Sequence, residues 1–94
     1  MNLTTLSFEV DEADQDQFIR DMEDTKDFWE VKGFVFSMFR EPSRKTRMLQ
    51  VFLSERSVDE FTALIQNDSK AKSMFEKVKN VAGHVVVSCM ERVV

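Results

Sequence analysis

Six segments of distinct hydrophobic period follow one another along the chain. Leu6, Phe8 and Val10 alternate with Thr5, Ser7 and Glu9. That is the period-two signature of a strand with one apolar face and one face that is wet or set against a partner. Asp11, Glu12 and Asp14 come next, and acids suit the positive end of a helix dipole. Asp11 with Asp14 three residues on resembles a capping pair, so a helix begins near residue 12. Phe18, Ile19, Met22 and Trp29, with the stem of Lys26, form its apolar stripe, and Asp16, Asp21, Glu23, Asp24 and Asp27 fall mostly elsewhere.

Gly33 ends that stripe, and residues 34 to 39, Phe-Val-Phe-Ser-Met-Phe, place large apolar side chains on both faces of a second strand, as an inner strand does. Glu41, Pro42 and Ser43, then Arg44, Lys45 and Thr46, mark a hairpin, because proline presets a turn dihedral and cannot donate to a ladder. The return strand runs from Arg47 to Leu53, with Leu49, Val51 and Leu53 on one face and Met48, Gln50 and Phe52 on the other. Ser57 and Glu60, ahead of Phe61, Leu64 and Ile65, make a capping box in its strict form. Asn67, Asp68 and Ser69 interrupt this second helix before Ala71, Met74, Phe75 and Val78 resume it, which predicts two pieces. Ala82 and Gly83 close it, and His84 to Met90 form the last strand, with Val85, Val87 and Cys89 opposite His84, Val86, Ser88 and Met90.

The order is β-α-β-β-α-β, an α+β class. Two crossovers joined by a central hairpin put strands one and three in the middle of a four-stranded antiparallel sheet, with strands two and four at its edges, the ferredoxin-like arrangement. Both helices then cover one face. The other face carries apolar residues of the opposite parity from strands two, three and four, and a patch of that size is normally an interface. A homodimer packed sheet to sheet is the expectation, burying on the order of 1,200 to 2,000 Å².

Composition narrows the picture further. At 94 residues and 43% hydrophobic, the chain makes one domain, residues 1–94, around one core. Net charge −4 disfavours nucleic acid as a partner. The first ten residues lack the basic start and apolar run of a signal peptide, and no stretch approaches the ~20 apolar residues of a membrane span, so a cytoplasmic protein without membrane contact is expected. One cysteine and one histidine supply neither an intrachain disulfide nor a soft-ligand set, so no metal or other cofactor is expected. Nine Phe and six Met make the apolar inventory large, and flexible at the Met positions.

With the joints in place, the chain resembles the dimeric α+β barrel superfamily, the group that includes the antibiotic biosynthesis monooxygenase-like domains. The likeness covers nearly the whole chain: Val-Lys-Gly-Phe at residues 31 to 34, Ser-Val-Asp-Glu-Phe at 57 to 61, and Asn67-Asp68-Ser69 at the helix break before Ala71. These are structural joints rather than catalytic signatures. The resemblance implies the barrel dimer and, if the domain is catalytic, cofactor-independent monooxygenase-like chemistry. The family's quinone oxygenases and haem-degrading members look to a polar residue on strand one, a Trp on or near strand three, and a His or Tyr from the second helix. Here strand three has no Trp, the second helix has no His, and the chain has no Tyr. Asn2 is the remaining candidate for the strand-one polar group.

Among individual residues, His84 has the only side chain whose ordinary pKa lies near neutrality, which makes it the candidate general base. Trp29, with Phe18, Met22 and Met74, is placed to line a pocket between helices and sheet, near His84, for a small apolar or aromatic molecule. Core packing accounts for the same four residues without a ligand. Glu9 falls on the presumed partner-facing side, where it needs a countercharge, and Arg40 and Arg47 beside the hairpin are the candidates for an intersubunit pair at the dimer interface. The basic residues Arg40, Arg44, Lys45 and Arg47 could also steer an anionic molecule. Cys89 reads as a small buried hydrophobe. Three functions stay open: a binder or oxidant of a small apolar or aromatic molecule, a dimerisation module without chemistry, and a metabolite sensor at the basic hairpin.

Overall fold

A computed structural model describes residues 1–94, in the order β1 (Asn2–Glu9), α1 (Glu12–Glu23), α2 (Lys26–Val31), β2 (Val35–Arg40), β3 (Arg47–Ser54), α3 (Val58–Asn67), α4 (Ser69–Ala82) and β4 (Val85–Glu91). The strands form one sheet in the order β2-β3-β1-β4, and every neighbouring pair is antiparallel. This is the ferredoxin-like order expected, with β1 and β3 central. Strand β2, apolar on both faces as an inner strand would be, is an edge strand. One of its faces meets the helices and the other belongs to the open side of the sheet.

Register sorts the two faces. Thr4 lies between Phe52 and Cys89, Leu6 between Gln50 and Val87, and Phe8 between Met48 and Val85. Leu6, Phe8, Phe36, Met48 and Phe52 are buried together with Phe18, Met22, Trp29, Phe61, Ala71 and Val78 from the helices. Aromatic rings dominate one half of this core. The Trp29 ring centroid lies 4.9 Å from Phe52 and 6.0 Å from Phe61, and Phe34 lies 5.1 Å from Phe61.

The first crossover is broken, where an unbroken helix to Trp29 was expected. The Thr25 hydroxyl donates to the Met22 carbonyl at 2.6 Å and its own N–H turns to the same oxygen at 3.0 Å, so the last carbonyl of α1 is drawn into a turn. Nor does Asp11 cap α1 with its side chain. The buried amide of Gln15 does the fastening: its Nε2 donates to the carbonyls of Val10 at 2.9 Å and Lys45 at 2.6 Å, tying the helix start to the hairpin. Gly33 holds a φ of +91°, which lets the chain reverse from α2 into β2.

The second crossover follows the sequence closely. Ser57 Oγ accepts from the Glu60 N–H at 3.2 Å while Glu60 Oε1 accepts from the Ser57 N–H at 3.4 Å, a complete capping box. Asp68 then breaks the helix and caps its second piece, accepting from the N–H groups of Lys70 at 2.9 Å and Ala71 at 3.0 Å. Cys89, expected to be buried, is exposed. Its strand face does point to the helix side, but β4 extends past the cover of α4, and Val87 beside it is 50% exposed.

Ser57→Ala should lower stability by about 1 kcal/mol, since the first free N–H groups of α3 lose their acceptor; equilibrium urea unfolding measures it, and an unchanged midpoint would mean that α3 does not depend on this cap. The two capping carboxylates add a pH dependence. The Arg56 guanidinium, followed by the Ser57 N–H, holds Glu60 below its ordinary 4.5, and the Ala71 N–H, followed by the Lys70 N–H, holds Asp68 below its ordinary 3.8. A depressed folded-state pKa contributes stability that is present above the unfolded-state value and is lost as pH falls through the lower folded-state value. Unfolding midpoints should therefore fall as the solution is acidified below about pH 4.5. Glu60→Gln and Asp68→Asn should each make that decline shallower, and a decline of unaltered slope in both variants would contradict this assignment.

Candidate functional site

Three spaces in the fold bear on the residues singled out from the sequence. The first is internal, between the sheet and helices α1 to α4. Trp29, Met22 and Met74, three of the four residues assigned to a pocket from the sequence, line it with Leu6, Phe52 and Phe61, whereas Phe18 does not. Phe18 instead stacks edge-on against Phe8 at 5.7 Å. The space amounts to about 10 Å³, which holds no more than one water molecule. Trp29 is only 3% exposed. The core is filled at this point, mainly because Phe34, Phe52 and Phe61 crowd the indole.

The second space is a groove along the outer edge, between the end of α1 and strand β2, with a volume of about 350 Å³. Ile19, Met22, Phe36, Met38 and Phe39 make its walls apolar, and Glu23 and Lys26 bring the only charges to it. The sequence marked Ile19, Met22 and Lys26 as one helical stripe, but gave no sign that the stripe outruns the sheet and leaves a gap over its edge. Met22 borders both this groove and the internal space, so one thioether side chain separates the groove from the Trp29 cluster.

The third is a cleft of about 260 Å³ where β1 ends and β4 begins, roofed by the hairpin; His84 lines it with Ser7, Phe8, Glu9, Arg44 and Arg47. The expectation of one pocket near both Trp29 and His84 is not met. Trp29 packs on Phe52, which is in register with Thr4, and His84 precedes Val85, the partner of Phe8. Five residues of strand separate the two levels, roughly 16 Å. His84 is exposed, and its backbone N–H closes a turn onto the Ala82 carbonyl at 2.9 Å.

The charged residues assigned to an intersubunit pair all find partners in their own chain. Glu9 pairs with Arg44 rather than with Arg40 or Arg47, because the turn at Pro42 and Ser43 folds Arg44 back over the end of β1. Arg40 donates to the Gln15 carbonyl oxygen at 3.1 Å, and Arg47 Nε stands 3.9 Å from Glu41. Asn2, the candidate polar residue of the first strand, donates its amide to the Arg56 carbonyl at 2.7 Å and so fastens β1 to the loop after β3. No helix is long and apolar enough to cross a membrane.

No protein-family model matches the sequence, and no curated protein matches it. Solved structures do. A Nitrosomonas europaea protein provisionally named an antibiotic biosynthesis monooxygenase superposes with a TM-score of 0.81 at 10% identity, over 100% of both chains. A conserved protein of unknown function from Bacteroides thetaiotaomicron gives 0.80 at 11% identity, over 97% of this chain and 96% of that one. SnoaB, a cofactor-independent oxygenase from Streptomyces nogalater, gives 0.77 at 14% identity, over 99% of this chain and 94% of that one. Identities this low speak to architecture rather than to chemistry, and the architecture agrees with the resemblance read from the joints of the sequence: the chain has the ferredoxin-like α+β fold of the antibiotic biosynthesis monooxygenase-like proteins.

Proposed function

We propose that this protein is a small-molecule-binding homodimer that takes an apolar or aromatic ligand into the groove between α1 and β2. The groove itself carries the reading: about 350 Å³ walled by Ile19, Met22, Phe36, Met38 and Phe39 is within the usual size of a ligand site, and such sites are mostly apolar with few polar groups at the rim. Lys26 and Glu23 would orient a hydroxyl or carbonyl at its mouth. The fold shared with an oxygenase that works without a cofactor is compatible with oxidation of the bound molecule by this chain, though the groove offers no acid or base beyond those two side chains.

The dimer rests on the uncovered face of the sheet. Val35, Phe39, Val86 and Met90 are 62%, 57%, 52% and 63% exposed there, and Leu3, Leu49, Val51 and Leu53 are half-buried between them. The accessible area of one chain is 6207 Å², above the roughly 5,600 Å² usual for this mass. A second reading, a dimerisation module without a ligand, is favoured by one observation, the filled space around Trp29.

Light scattering at micromolar concentration should give twice the 11.0 kDa of one chain, and Val86→Lys, at an exposed position of the open face, should halve that mass without unfolding the chain. A wild-type mass of one chain would end the dimer reading. For the groove, titration with 4-phenylphenol or 1,4-naphthoquinone followed by amide NMR should shift α1 and β2 resonances saturably, and Ile19→Trp, which fills the groove, should abolish the shifts. His84→Ala should leave them unchanged, because His84 stands near the opposite edge of the sheet. Absence of saturable shifts with both probes in a confirmed dimer would leave the dimerisation module as the better account. Oxygen uptake in the same samples separates a binder from an oxygenase.

A further inference from the structure

The groove at the β2 edge is apolar along its walls, and a buried amide lies behind them. Met38, in its wall, stands directly opposite Gln50 in the register of β2 with β3, and both share the helix side of the sheet with Phe36 and Phe52. Gln50 is 2% exposed, yet its side chain makes a single hydrogen bond, from Nε2 to the Met38 sulfur at 3.7 Å. Gln15 shows what a structural amide does in this fold: it is as deeply buried, donates to the carbonyls of Val10 and Lys45, and accepts from Arg40. A thioether is a weak acceptor, and an amide side chain can donate two hydrogen bonds and accept two. No enclosed side-chain oxygen or nitrogen lacks a partner, so the Gln50 carbonyl oxygen, which accepts nothing, still touches open space. Gln50 borders the internal space beside Trp29 together with Met22, the residue that also borders the groove. Two methionines therefore stand between the groove and an amide that the fold leaves nearly unbonded.

We propose that Gln50 sets the specificity of the groove: a ligand carbonyl displaces the Met38 thioether and accepts from Gln50 Nε2, so the site selects apolar molecules that carry a ketone. This rests on the groove being the ligand site, and it names the polar group that the groove itself lacks. Met38 is only partly buried, and an unbranched side chain with three rotatable bonds swings aside at small cost. Replacing sulfur by a carbonyl oxygen gives the buried N–H a full-strength acceptor. Glu23 and Lys26, at the mouth, are exposed to water and discriminate little between ligands. Gln50 is out of water, so a hydrocarbon of the same shape either leaves Met38 in place or strands the amide. In the free protein the amide is a liability, because a buried polar group with one weak bond costs more than it returns.

Amide NMR of the full chain, titrated with 1-tetralone and with tetralin, which keeps the shape and lacks the oxygen, tests the assignment. Tetralone should move the Gln50 side-chain NH2 resonances and the Ile19 and Met38 backbone amides saturably, and tetralin should leave the Gln50 side chain unmoved. Gln50→Leu should weaken tetralone roughly five- to tenfold, the scale of one neutral hydrogen bond, and should not weaken tetralin. The variant should also unfold at a urea concentration no lower than wild type. If it does not fold, the Gln50 side-chain resonances of the wild-type chain decide alone. The proposal is overturned by tetralone binding with those resonances unmoved, by tetralin moving them equally, or by Gln50→Leu folding with undiminished tetralone affinity, and in each case the groove still stands as a binding site. No saturable shift with either probe overturns it together with the groove.

Discussion

Everything else in the molecule is arranged around the packing of Trp29 on Phe52. Phe52 sits at the centre of the covered face of the sheet, and Trp29, Phe36 and Phe61 close on it with ring centroids 4.9 to 5.1 Å away. Those contacts join α2, β2 and α3 to the central strand β3, and large buried aromatic rings carry more packing energy per residue than anything else in a core this small. The cluster also decides where open space lies. By filling the interior near the helix break it leaves about 10 Å³ inside, and the larger hollows lie outward at the two edges of the sheet, where helices no longer reach.

The two edges are not equivalent, and the difference follows from which element overhangs which. At the β2 edge, α1 stands away from the strand and apolar side chains face each other across a gap, so the groove is greasy with charges only at its rim. At the β4 edge the basic hairpin and the turn after α4 meet, so the cleft is bordered by guanidinium, imidazole and hydroxyl groups. The acidic α1 and the basic hairpin thus give the surface two regions of opposite sign within one small domain, held in register by Gln15, whose amide bonds both the chain before α1 and the hairpin.

Much of the fold is legible in the sequence because its signals are local. Strand parity, the Ser57–Glu60 capping box and the Asp68 break depend on residues within a turn of one another, and each appears in the structure where the pattern puts it. What was not legible depends on distance. The turn at Thr25 needs a hydroxyl to find the Met22 carbonyl in competition with a helix that the apolar stripe alone would continue. The exposure of Cys89 follows from the reach of α4 over β4, which no property of strand four reveals. The pairing of Glu9 with Arg44, and the separation of His84 from Trp29, follow from how the hairpin folds back and from the sheet register. The filling of the space around Trp29 was not legible for the same reason: a stripe names the residues that face the core, but not the point at which the core ends.

The six residues of α2 have a consequence for how the molecule comes apart. A helix that short has no stability of its own, since nucleation costs more than a single turn returns. Its hydrogen bonds exist because Trp29 is locked among Phe34, Phe52 and Phe61. Secondary structure in this segment is therefore slaved to side-chain packing. Loosening of the aromatic cluster and melting of α2 are one cooperative event, so the lone indole reports on backbone order as well as on its own surroundings.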